Sequence, residues 1–181
     1  MPIVVKAQME FVENKGQWHE NINYKGDFKT GAFFLENKGF TVVLNKPADV
    51  QRLSEAVHGH GPVAAPGNNF KAVIPKDTIV INSFAYKVKF LGAASNIRQV
   101  PDKKLPTHNN YYIGNERSKW AADCSLFQAI TYENVYPNID VRYYSDAGRL
   151  KYDFIVRPGG NPAFIAMQYD GPDVSLKNKE L

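Results

Sequence analysis

The segment His58-Gly59-His60-Gly61 sets two imidazoles close together on a glycine-rich backbone, a spacing at which ring nitrogens can take a transition metal. A metal centre needs a third or fourth protein ligand, and nothing in the chain brings His19 or His108 to this pair. His58 and His60 are therefore weak candidates, and no resident metal is expected. Glu13, Glu20, Asp140, Asp146 and Asp153 include carboxylates that could flank a glycosidic bond as acid and base, but scattered carboxylates on alternating strands are more simply a wet face. In "KYDFIV", Tyr152, Phe154 and Val156 share one face and Lys151, Asp153 and Ile155 the other. Asp153 is read as a buried partner for Arg142 or Arg149.

The single cysteine, Cys124, excludes an intramolecular disulfide and a thiolate cluster. Its neighbour Asp123 opposes thiolate formation, so no nucleophile is expected there. The chain has no glycine-rich phosphate loop, no G-x-S-x-G elbow and no H-E-x-x-H pair. The expectation is no catalytic residues and no cofactor. What remains is aromatic: Trp18, Trp120, Tyr111 and Tyr112 are the binding candidates, side chains that stack on sugars or anchor a protein partner. The alternative for each is a place in the core.

These residues must be positioned by strands. The chain has 181 residues, 44% of them hydrophobic and 22% charged, enough to bury one core and too apolar for disorder. Eleven Phe and 10 Tyr suit pleated, half-buried surfaces, and 11 Pro with 13 Gly break the chain into short pieces. Lys and Arg are interleaved with Asp and Glu despite a net charge of +4, which argues against a nucleic-acid face. No apolar run approaches the roughly 20 residues of a membrane span, so no membrane insertion is expected.

"GAFFLENKGFTVVLN" predicts a hairpin with Asn37 to Gly39 at its tip. Val50, Leu53 and Val57 have helical spacing, and the glycine- and proline-rich stretch after them reads as a loop, with 58–72 as a contact candidate. "TIVINSFAYKVKFLGA" alternates through Phe84, Tyr86, Val88 and Phe90, with Lys87 and Lys89 facing solvent. Further strands are expected at Asn110–Ile113, Leu126–Tyr132, Ile139–Ser145, Leu150–Val156, Phe164–Tyr169 and Val174–Leu176. Gly148 is expected at one hairpin tip and "RPGGNP" at another turn. The fold class expected is all-β, an antiparallel β-sandwich with one short helix insertion. Residues 1–10 read as a tail or an artificial start, and 11–181 as a single domain.

"FVENKGQW" (11–18), "LENKGFTVVL" (35–44), "NYYIGNERSKW" (110–120) and "ITYENVYPNIDVRYYSDAGRLKYDFIVRPGGNPAFIAMQYDG" (130–171) together resemble the N-terminal domain of large secreted Bacteroidetes-type cell-surface proteins. In such proteins this domain of unknown function precedes seven-bladed β-propeller-type repeats and gliding-motility or type IX secretion sorting domains. The resemblance covers nearly the whole chain. It implies a secreted or cell-surface location and no catalytic residues to carry over. It also implies a domain that continues past residue 181, leaving an edge strand open to dimer formation.

The function expected is a non-enzymatic extracellular structural or interaction module of a bacterial surface protein, related to adhesion. Its partners would be other domains of the same protein, or a glycan or protein ligand. The alternatives are a carbohydrate-binding module, which predicts a coplanar row of exposed aromatics, and a glycosidase, which predicts paired carboxyls in a cleft. Of the two Glu-Asn-Lys-Gly copies, the second is read as a hairpin tip. The first leads into Trp18, expected to pin the N-terminal strand.

Overall fold

A computed structural model of the protein describes residues 9–58, 79–146 and 148–171. The strands are β1 (Phe11–Glu13), β2 (Ile22–Phe28), β3 (Gly31–Glu36), β4 (Gly39–Asn45), β5 (Ser83–Phe90), β6 (Arg98–Tyr111), β7 (Ala121–Tyr136), β8 (Ile139–Asp146), β9 (Arg149–Val156) and β10 (Met167–Asp170), with one helix, α1 (Pro47–His58). All ladders are antiparallel, and they join in the order β10-β5-β4-β3-β2-β1-β7-β8-β9, with β6 beside β7.

The long strand β7 organises the sheet. Phe127 faces both Phe11 of β1 and Lys104 of β6, and Ala129 faces both Tyr144 of β8 and Asp102 of β6. Therefore β1 and β8 run end to end along one edge of β7, and β6 covers the other. The Met9 N–H donates to Ser145 Oγ at 3.0 Å where the two meet. From this branch the β2–β5 side curls over β8 and β9, so that Phe33 meets Tyr143 at 5.9 Å, Phe40 meets Tyr152 at 5.4 Å and Phe90 meets Phe154 at 5.7 Å between ring centroids. The antiparallel, mostly β expectation with one short helix holds. Where a sandwich stacks two sheets, hydrogen bonding here runs through ten strands of one sheet, curled as a half-barrel around its core.

Burial explains why these segments are strands. Phe11, Phe33, Leu35, Val88, Ile130, Tyr132, Ile139, Val141 and Tyr143 are fully buried, each large apolar side chain contributing about 1.5–3 kcal/mol. The β3–β4 hairpin turns at Asn37-Lys38, with Glu36 opposite Gly39. A Cβ on Gly39 would lie 2.0 Å from the Val88 carbonyl oxygen, so the glycine serves the approach of β5 as well as the turn.

Several expectations are corrected. Phe84 is 47% exposed, because the buried alternation of β5 begins only at Val88. The strand predicted at Asn110–Ile113 is the end of β6, which starts at Arg98 despite Pro101 and Pro106. Phe164 lies in a 3-10 turn stapled by Asn161, and β10 starts only at Met167. Asp153 is exposed, not buried: Arg142 stands opposite it but gives its guanidinium to Asp102, at 2.7 Å. The hydroxyl of Tyr144 takes Asp153 instead, which raises the phenol's pKa. The predicted strand Val174–Leu176, His60 and nearly all of the 58–72 loop lie outside the described residues.

Candidate interaction site at the β6–β7 tip

The site begins with one side chain. Asn14 Oδ1 accepts the N–H groups of Gly16 at 3.0 Å and Trp18 at 3.2 Å, and Nδ2 donates to the carbonyls of Ile22 at 2.7 Å and His19 at 3.1 Å. Gln17 closes the loop from the other side, donating to the Glu13 carbonyl and accepting from the Lys15 N–H, both at 2.7 Å. An Asn is suited to this because it offers acceptor and donors on one short stem. The first Glu-Asn-Lys-Gly copy is thus a self-organised loop, unlike the hairpin tip of the second.

That loop delivers Trp18 onto the β6–β7 hairpin. Its ring meets Tyr111 edge-on, 5.2 Å between centroids at 69°, beside the small cluster of Val12, Ala121, Cys124 and Leu126. Lys25 stands 5.5 Å above the Trp18 ring, and Lys15 donates to the Asp123 carbonyl at 2.9 Å. Trp18 therefore fastens the N-terminal segment to β6 and β7, as expected of an anchor. Cys124 is buried in this cluster, and burial foremost pushes its thiol pKa up, which disfavours the thiolate.

Beyond Tyr111 the hairpin projects. Tyr112 is 59% exposed, Ile113 77% and Trp120 38%. The Trp120 indole N–H donates to the Gly114 carbonyl at 3.2 Å, closing the tip, and Tyr112 lies against the indole at 5.8 Å and 76°. The Arg117 guanidinium sits 5.5 Å from the Trp120 ring. Glu116 pairs with Lys119 at 2.5 Å, which lowers the carboxyl's pKa. All four aromatic candidates thus gather at one end of the molecule, divided into a half-buried pair, Trp18 and Tyr111, and an exposed pair, Tyr112 and Trp120. Ile113 and Arg117 join the exposed pair. Sequence reading missed both, although "YYIGNERSKW" already showed an apolar residue before a glycine turn.

The carboxylates gather less. Glu13 and Glu20 line an open groove of about 510 Å3 beside Trp18 and Tyr24, and Glu13 Oε2 accepts the Ser125 N–H at 3.3 Å. Asp140 is committed to a turn, Asp146 pairs with Lys151 at 2.9 Å, and Asp153 lies on the far β8–β9 face. Among the described residues no three His, Cys, Asp or Glu side chains form a metal-binding group. His58 ends α1 and its side chain is outside the description. No described helix is long and apolar enough to cross a membrane.

A family model described as "Domain of unknown function (DUF7948)" matches residues 11–181. No curated protein and no solved structure matches the chain.

Proposed function

We propose that this chain, which belongs to the DUF7948 family of domains of unknown function, is a non-enzymatic interaction module of a secreted or cell-surface bacterial protein. It docks through the β6–β7 tip onto a protein surface, either another domain of the same polypeptide or a protein ligand in adhesion. The observation that carries this reading is the exposed cluster of Tyr112, Ile113 and Trp120, held in place by the indole bond to Gly114 and flanked by Arg117. Aromatic and arginine side chains dominate the binding energy of protein interfaces, and a tip ordered in advance loses little entropy on docking. The surface location and the Bacteroidetes-type, gliding-motility and type IX context rest on the motif resemblance.

The carbohydrate-binding alternative has exposed aromatics in its favour, but the rings meet at 69° and 76° rather than in a coplanar row. The glycosidase alternative has only the groove beside Glu13 and Glu20. A glycan array probed with the folded domain separates these. No binding at micromolar concentration is expected, and micromolar binding abolished by Trp120→Ala would replace the protein-docking reading with the carbohydrate one. Protease shaving of intact native cells tests the location; a chain protected until lysis would overturn it.

A further inference from the structure

Among the described residues the curled sheet ends in three strand edges, and they are not alike. β6 carries Pro101, Pro106, Lys103 and Lys104, and its register slips between Lys104 and His108 and again between Asn109 and Tyr111. Lys103 also adopts a left-handed conformation, φ 55°. These are the devices by which proteins blunt an edge against strand addition. β10 is only four residues long. β9 is different: eight residues without proline, paired to β8 in unbroken register along one side, with no strand on its other side among the described residues. Its inward residues Leu150, Tyr152 and Phe154 stay half-exposed while those of β8 are buried, and Ile155 and Val156 are 41% and 42% exposed.

The order of side chains on β9 is self-complementary. In antiparallel pairing, residues directly opposite each other point to the same face. A twofold axis at Tyr152 sets Tyr152 against itself and Leu150 against Phe154 on the inner face. On the outer face Lys151 falls opposite Asp153 of the second copy, and the symmetry repeats that pair. Centring on Lys151 sets two lysines against each other, although it also brings Arg149 opposite Asp153, centring on Asp153 sets two aspartates together, and centring between residues sets the inner face against the outer. Of these centres the Tyr152 register is the one in which faces match and no like charges meet, and it has the isologous form that a twofold dimer requires, residue i meeting j and j meeting i.

We propose that β9 is a docking edge for a second copy of this chain, with the two strands antiparallel about Tyr152 and Lys151 paired to Asp153 across the interface. The present partners of these side chains, Asp146 for Lys151 and Tyr144 for Asp153, belong to β8, while the inward Tyr152 hydroxyl lies 4.0 Å from Met167 Sδ of β10.

Sedimentation velocity over a concentration series tests this on the whole chain. The expected result is a concentration-dependent dimer that Lys151→Asp and Asp153→Lys each weaken about tenfold or more, since two opposite-charge pairs become two like-charge pairs. Mixing the two single variants restores association, because a strand bearing two carboxylates on its outer face then meets a strand bearing two ammonium groups. A wild-type chain that stays monomeric at its highest soluble concentration overturns the proposal, as does a dimer indifferent to both substitutions. Circular dichroism checks that each variant folds. Independently of any variant, hydrogen exchange of wild-type β9 amides should slow as concentration rises; β9 exchange that ignores concentration overturns the proposal too.

Discussion

Arg157, just past the end of β9, reaches back to Asp140 near the start of β8, with Nη2 2.8 Å from the carboxylate and 2.7 Å from Asn134 Oδ1. The same carboxylate oxygen accepts the Asn134 N–H at 2.7 Å, where β7 bulges out of register between Tyr132 and Tyr136. Asn134 and Asn138 both take positive φ, 53° and 59°, and the backbone of Gly160 packs so closely on the Asn138 carbonyl that an added Cβ would sit 2.8 Å away. The "ENVYPNID" and "RPGG" phrases thus describe one clasp on the β7–β8 turn. They tie the β7–β8 turn to the end of β9.

Replacing Asp140 by Ala leaves a bulge N–H without its acceptor and Arg157 without its partner. The expected loss is about 1–3 kcal/mol, read from urea unfolding. A double-mutant cycle with Arg157→Ala should give a coupling of about 0.5–3 kcal/mol; additive single effects would show that the two residues act apart.

Tyr143 is fully buried, and its hydroxyl is the one buried side-chain polar atom without a partner among the described residues. Phe keeps the ring contacts with Phe33, Phe40 and Tyr132 and removes the unpaired group. Tyr143→Phe should therefore be neutral or stabilising by about 1 kcal/mol, raising Tm by roughly 2–4 °C in a domain of this size. A clear fall in Tm on calorimetry would mean that the hydroxyl has a partner such as a buried water.

Asn14→Ala removes the acceptor and donors that shape the loop carrying Trp18. The fold should survive at a cost of about 1–3 kcal/mol, while Trp18 leaves its edge-on seat against Tyr111. The check is the near-ultraviolet dichroism of Trp18 in a Trp120→Phe background, where the asymmetry signal should fall. An unchanged signal would show that the seat against β6 holds Trp18 without the loop.

Asp49 is buried in the first turn of α1, accepting the Asn82 N–H at 3.0 Å, the Asn82 amide at 2.7 Å and the Arg52 guanidinium at 2.5 Å. These bonds, the Asn82 backbone N–H first, hold its pKa down to about 2. A carboxyl lowered in the folded state binds protons more weakly than in the unfolded chain, so its stabilisation is complete above the unfolded value of about 4 and disappears as pH falls through about 2. Asp102, Glu116 and Asp170 are lowered too and act in the same sense. Asp49→Asn should flatten the acid limb of a stability–pH curve between roughly pH 4 and 2 relative to the wild type. Parallel curves would dissociate Asp49 from acid unfolding.

The local devices whose physics stays within a few residues were legible in the order of residues alone. The β3–β4 hairpin followed from Asn37 and Gly39 between two apolar runs, α1 from the spacing of Val50, Leu53 and Val57, and the β8–β9 hairpin from Gly148, with its φ of 74°. The four aromatic candidates were legible as residue types. Their gathering at one end was not, because it depends on Asn14 folding a loop back onto a hairpin that lies far along the chain.

β6 was not legible in this way. With two prolines, four charged residues and no alternation, Arg98–Tyr111 lacks the pattern of a strand, and it pairs because β7 presents an open edge of backbone donors and acceptors that must be satisfied. The same holds for Asp153. Strand parity assigned its face correctly, but whether that face meets a second layer or solvent depends on how the sheet curls. Parity is a property of one strand, while burial belongs to the packing of all of them.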